Sequence, residues 1–156
     1  VALGHYHVHR QVAPNAYYSG SIDYTSANPW GELAEEAEAE RAGAARGKGF
    51  IEYDLDANRH TFHPVPPSRL LVDLPPLNAR GMTGAELDAA IRESVDAVAG
   101  GIEHKIVRLV VRDVARHINN DLDHQALREY KRRAFHFQLE ALSASMRLVA
   151  EVPKKG

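Results

Sequence analysis

Lys105-Ile106-Val107-Arg108-Leu109-Val110-Val111-Arg112 is the stretch on which the fold of the second half turns. It is so strongly apolar that it reads as a central strand. Before it, Thr83-Gly84-Ala85-Glu86 is a capping-box signature for a helix start. Leu87, Ala90, Ile91, Ser94, Val95 and Val98 then form one apolar face at i, i+3, i+4, i+7, i+8 and i+11. Gly100-Gly101 is expected to end that helix. Further upstream, Arg69–Leu74 (RLLVDL) reads as a strand. Downstream, Asp121 or Asp123 is expected to cap a second helix running to about Arg133, with Leu127 and Tyr130 facing inward. Phe135–Leu142 fits either a third strand or a helical continuation. The order β-α-β-α-β predicts an α+β class, with helices layered on a small sheet.

The first half reads differently. Val1–Leu3 looks like the end of a buried strand feeding a loop at Gly4–His9. Val8–Val12 and Ala16–Tyr18 flank the turn signal Pro14-Asn15 and predict a hairpin. Ser19–Pro29 reads as loop. Glu32–Arg46 is rich in alanine and glutamate and has helical propensity but no apolar stripe, so it reads as an exposed excursion with little bearing on chemistry. Lys48–Leu55 alternates like a half-buried strand, and Arg59–Val65 is its expected partner across Asp56-Ala57-Asn58. His60 and His63 fall on opposite faces there and read as surface or cross-strand residues. Pro64–Pro67 is the expected linker.

Composition sets further bounds. The chain has 156 residues, 44% apolar and 26% charged, as in an ordinary globular protein. It has no cysteine, which excludes disulfides, zinc-thiolate sites and cysteine nucleophiles and fits a reducing cytoplasm. No apolar run approaches the roughly 20 residues that span a bilayer, and no signal-peptide pattern opens the sequence. The chain opens on Val1 rather than methionine, in what reads as a strand already ending. The expectation is therefore the C-terminal portion of a longer protein. Net charge is −2. Residues 1–99 hold 8 Lys and Arg against 14 Asp and Glu, whereas residues 100–156 hold 11 against 7. The second half could thus face phosphates, although a bias this modest is more often just a solvated surface.

Chemistry concentrates in Gly4-His5-Tyr6-His7-Val8-His9. Three imidazoles in five positions offer neutral nitrogen lone pairs to a metal. Side chains at i and i+2 point the same way in an extended segment, or a tight turn can aim them at two neighbouring ions. Gly4 follows an apolar strand where the backbone must turn.

Leu3-Gly4-His5-Tyr6-His7, followed by Tyr18-Ser19-Gly20-Ser21-Ile22-Asp23, resembles the closing motif of the calcineurin-like metallophosphoesterases. Within them it is most similar to the SbcD-like DNA repair exonucleases. The Lys48-Gly49-Phe50-Ile51 strand resembles the segment that follows in that family. Lys105–Leu109 and the helix from Asp123 through Lys131 resemble parts of its capping domain. The resemblance implies the C-terminal strands of a β-sandwich core over 1–66, a small α/β capping domain over 67–145, and a tail over 146–156. It implies a hydrolase that cleaves DNA phosphodiester bonds with two divalent ions, manganese in most members. His5 would ligate one ion and His7 the other. Gly4, Tyr18, Gly20 and Ser21 would shape the floor of the site, and Asp23 has no ligand role. The partners implied are DNA, an SbcC-type coiled-coil ATPase and a second copy of the full-length protein.

The family's upstream motifs D-x-H, G-D-x-x-D and G-N-H-[DE] are absent. The bridging aspartate and the histidine that protonates the leaving group are therefore missing, and this chain holds no catalytic residue of its own. Alone, it is expected to be inactive. His9 stands outside the motif. Arg10, and the helix face of Arg128, Lys131 and Arg132, either contact DNA phosphates or are simply solvated surface, the latter as the outer side of a helix whose Leu127 and Tyr130 face the core. Rival readings are a calcineurin-like phosphatase or phosphodiesterase with a small-molecule substrate, and a non-catalytic binding module with structural histidines.

Overall fold

The computed structural model describes residues 1–45 and 47–143. The expected tail at 146–156 and the end of the Glu32–Arg46 segment, Arg46, lie outside the described residues. The described chain is mixed α+β and divides into two units between Ser68 and Arg69, directly after the proline cluster.

In the first unit, β1 (Ala2–Leu3) lies parallel to β3 (Ala16–Tyr18), which pairs antiparallel with β2 (Arg10–Ala13). Pro14-Asn15 makes the β2–β3 turn, and the Tyr17 hydroxyl donates to the Pro14 carbonyl at 2.8 Å to brace it. After a loop comes α1 (Pro29–Arg41). Asn28 caps it by accepting from the Gly31 N–H, and Pro29 at the first position has the φ a helix needs. β4 (Gly49–Asp54) and β5 (Arg59–Pro64) then form a two-stranded ribbon in full register from Gly49↔Pro64 to Asp54↔Arg59. Aromatic contacts tie the ribbon to the three-stranded sheet: the His60 ring lies 3.9 Å from Tyr17, and Phe62 stacks on His9 at 4.5 Å.

The second unit is built on β8 (Ile106–Arg112), the central strand. β9 (His136–Leu142) pairs along its whole length. β6 (Leu71–Asp73) and β7 (Leu77–Asn78) therefore share its other edge, one at each end. Every pairing is parallel. Parallel neighbours need a crossover, and the helices supply it: α2 (Gly84–Asp96) before β8, then α3 (Arg116–Asp121) and α4 (His124–Arg133) before β9. Val107, Leu109 and Val111 on one face of β8 are fully buried with Leu87, Ile91 and Val95 of α2. Each such side chain contributes about 1.5–3 kcal/mol by leaving water. Tyr130 of α4 packs on Phe137 of β9 at 5.5 Å. Arg108, on the opposite face of β8, forks onto Asp73 at 2.9 and 2.7 Å.

The structure corrects several expectations and settles two that the sequence left open. The segment from Glu32 is no exposed excursion: α1 begins at Pro29 and buries Glu32 and Glu36. α2 stops at Asp96 rather than at Gly100-Gly101, because the chain tightens into i→i+3 bonds from Val98 to Val95 and from Gly101 to Val98. The two glycines then reverse the chain with φ near +70°. Phe135–Leu142 resolves as strand from His136. Asp123 caps α4, whereas Asp121 closes α3, a turn of helix that no periodicity announces. The apolar side of β4 is less covered than its alternation predicts, and Leu55 just beyond it stands exposed. Among the described residues, no helix is long and apolar enough to cross a membrane.

Candidate functional site

The loop between β1 and β2 carries the three histidines, and they sit in three different environments. His5 is exposed and adopts φ +87°, a left-handed backbone that residues with a Cβ rarely take. Its ring meets Tyr6 edge-on at 6.0 Å, and Tyr6 in turn leans on Tyr18 at 4.7 Å. His9 is buried: its Nδ1 bonds the Tyr18 carbonyl at 3.0 Å and its ring stacks on Phe62. Burial lowers its pKa, against the opposing pull of the Tyr18 carbonyl. His9 is thus a packed structural residue.

His7 is held at both ends. Its carbonyl oxygen accepts from the Ser21 N–H at 3.1 Å, the Ser21 hydroxyl at 3.3 Å and the Lys48 ammonium at 3.0 Å. Its ring Nδ1 lies 2.8 Å from Glu32 Oε1. An ionised carboxylate only accepts, so the ring nitrogen donates. In the neutral ring this leaves Nε2 as the nitrogen with a lone pair.

Behind His7 lies a buried charge cluster. α1 places Glu32 and Glu36 one turn apart on one face. Lys48, just before β4, is completely enclosed and reaches both: it hydrogen-bonds Glu32 and sits 3.0 Å from Glu36 Oε1. Tyr24 donates its hydroxyl to Glu36 at 2.7 Å and offers its ring face to the Lys48 ammonium at 4.4 Å. Lys48 thus hydrogen-bonds two oxygens, Glu32 Oε2 and the His7 carbonyl, and its charge faces Glu36 Oε1, a buried oxygen that no hydrogen bond satisfies among the described residues. Burial by itself would push the Glu32 carboxyl up. Hydrogen bonds from Lys48, from the Ser26 N–H and from His7, with the charge of Lys48, instead bring it down to about 2. Glu32 is therefore ionised at neutral pH.

Two imidazoles suit a divalent ion such as manganese as part of a mixed donor set. His7, with Nδ1 already committed to a carboxylate, has the arrangement typical of metal-bound histidine. Among the described residues, no three His, Cys, Asp or Glu side chains converge as a metal site. No family model, curated protein or solved structure matches this chain.

The other expected site residues separate cleanly. Gly20 lies against the histidine loop: at φ +80°, an added Cβ would lie 2.9 Å from the His9 nitrogen and 3.1 Å from the His7 oxygen. Ser21 anchors His7, and Tyr18 supports Tyr6 and receives His9. Gly4 is a correction. It is exposed, nothing would crowd a side chain there, and the left-handed turn falls on His5 instead. Arg10 is exposed and lines a cleft with Tyr6, His9 and Glu35. In the second unit, Arg128 and Lys131 are exposed on α4, whereas the Arg132 guanidinium is held twice by Glu129 at 3.0 and 2.8 Å.

Sequence reading missed Glu32, Glu36, Lys48 and Tyr24. The spacing of Glu32 and Glu36 puts them on one helix face, but nothing in it announces that this face is buried. Nothing local to Lys48 marks it as their partner.

Proposed function

We propose that this chain is the C-terminal part of an SbcD-like, metal-dependent DNA nuclease of the metallophosphoesterase type, acting in DNA repair. The observation that carries the reading is the setting of His7. It lies in a Gly-His-Tyr-His turn after a strand, its ring hydrogen-bonded to a buried carboxylate and its carbonyl clamped from below. A histidine kept merely for packing would resemble His9, which stacks and is buried.

In this reading His5 and His7 each offer one imidazole nitrogen to a divalent ion. Bound ions would contribute Lewis acidity and an activated water for phosphodiester hydrolysis. The chain's own part is to present those nitrogens, with Gly20 and Ser21 fixing the loop that carries them. The second unit corresponds to a capping domain, where Arg128 and Lys131 offer positive charge to DNA phosphates. An SbcC-type ATPase and a second copy of the full-length protein are the partners that belong with this reading.

The test is manganese-dependent cleavage of linear duplex DNA by the full-length protein, wild type against His7→Ala and His5→Ala. Both substitutions are expected to abolish cleavage while leaving the fold intact, and the 156-residue chain alone is expected to be inactive. Full activity in His7→Ala, or cleavage by this chain alone, would overturn the proposal.

A further inference from the structure

The two histidines of the Gly-His-Tyr-His turn are not equivalent. His5 is exposed, and among the described residues its ring meets the edge of Tyr6. His7 has a continuous chain of buried groups behind it: Glu32, Lys48, Glu36 and Tyr24. We infer that Glu32 is a positioning residue for His7, and that Lys48 sets the ring and the main chain of His7 from a single anchor. The use of this arrangement for metal binding rests on the functional reading above; the arrangement itself does not.

The argument is one of hydrogen-bond inventory. A neutral imidazole carries one N–H, on either nitrogen. A carboxylate 2.8 Å from Nδ1 accepts that hydrogen and leaves the Nε2 lone pair available. Lys48 holds its ammonium against the other oxygen of the same carboxylate and so fixes where Glu32 meets the ring. The same ammonium donates to the His7 carbonyl at 3.0 Å, so carboxylate and backbone move together. Glu36 and the Tyr24 hydroxyl complete the enclosure of Lys48. A ring delivered in one tautomer and one orientation loses less freedom on binding an ion. His7 is thus the preset ligand of the pair, and His5 the adjustable one.

Two-bond proton–nitrogen correlation spectra of the labelled full chain report the tautomer of each histidine. Wild-type His7 is expected to carry its hydrogen on Nδ1. In Glu32→Gln it should move to a mixture of tautomers, with the His9 signals and amide dispersion unchanged. If Glu32→Gln does not fold, Glu32→Asp keeps the charge for Lys48 but withdraws the oxygen from Nδ1, with the same expected change. Manganese(II) alone, added as a paramagnetic probe, should broaden the His7 ring signals at a concentration about 10- to 100-fold lower in wild type than in the variant. Wild-type His7 protonated on Nε2, or a tautomer unmoved by either substitution, overturns the inference. A tautomer that shifts as expected while manganese leaves His7 untouched supports the positioning role and counts instead against the metal reading.

Discussion

The ammonium of Lys48 hydrogen-bonds the carbonyl oxygen of His7 at 3.0 Å, joining residues 41 positions apart in the chain. The bond makes the histidine loop part of the same buried polar unit as α1. It also implies that the loop depends on a charge balance some distance from its own sequence. Lys48→Met should therefore destabilise the first unit by about 3–5 kcal/mol, because it strands Glu32 and Glu36 without their cation. Urea denaturation followed by a probe in the first unit checks this. A loss below about 1 kcal/mol would mean that the cluster is held by something other than Lys48.

Gly20 should not tolerate a side chain. Gly20→Ala places a Cβ against the backbone of His7 and His9 at a left-handed φ. The conformation alone costs about 1–2 kcal/mol, and the contact with backbone atoms adds to it. Thermal unfolding should show a lower midpoint. In spectra of the folded variant, His7 and His9 amides should shift most.

The Asp23 carboxyl lies below its ordinary range because the Ser68 hydroxyl and the Tyr24 N–H both donate to it. A depressed folded value means that its stabilisation is fully present above the unfolded value of about 3.9 and is lost as pH falls through the folded one. Ser68→Ala should thus be less stable than wild type at neutral pH, and the difference should close on acidification below about pH 4. Denaturant titrations of both proteins across that range test the sign. A gap that widens in acid would show the assignment to be wrong.

Thr83 and Glu86 close a reciprocal capping box, with Thr83 N–H donating to Glu86 at 2.8 Å and Glu86 N–H donating to Thr83 Oγ1 at 3.3 Å. Thr83→Ala should cost about 0.5–2 kcal/mol, and Thr83→Ser far less. Amide exchange at the start of α2 is the most direct readout, since fraying should begin there.

Under the nuclease reading, replacing Arg128 and Lys131 by alanine in the full-length enzyme should weaken DNA binding and flatten its salt dependence. Two lost phosphate contacts would reduce the slope of log K against log salt by about 1.8. Arg132→Ala should change it less, because Glu129 already occupies that guanidinium. An unchanged slope in the double variant would assign the α4 face to solvent.

The residues that sequence reading placed well share one property: their signals are local. The capping box needs only Thr83 and Glu86, three residues apart. The face of α2 needs only its own 3.6-residue period, and Leu87, Ile91 and Val95 are buried as that period requires. Harder to read were β7, whose two residues are too few to show alternation, and α3, a single cap-poor turn. The left-handed turn expected at Gly4 falls instead on His5, at φ +87°.

What the sequence alone determined was the strand at Ile106–Arg112, its helical neighbours and the position of the histidine segment, since periodicity, caps and motif spacing are written in adjacent residues. Only the tertiary structure decided which histidine is held and by what. Glu32 and Lys48 become an ion pair only when α1 and the start of β4 are buried against each other. Out of water, an unpaired charge is too costly to keep, so burial itself selects the partner. That selection distinguishes His7 from His5 and His9, and no spacing along the chain encodes it.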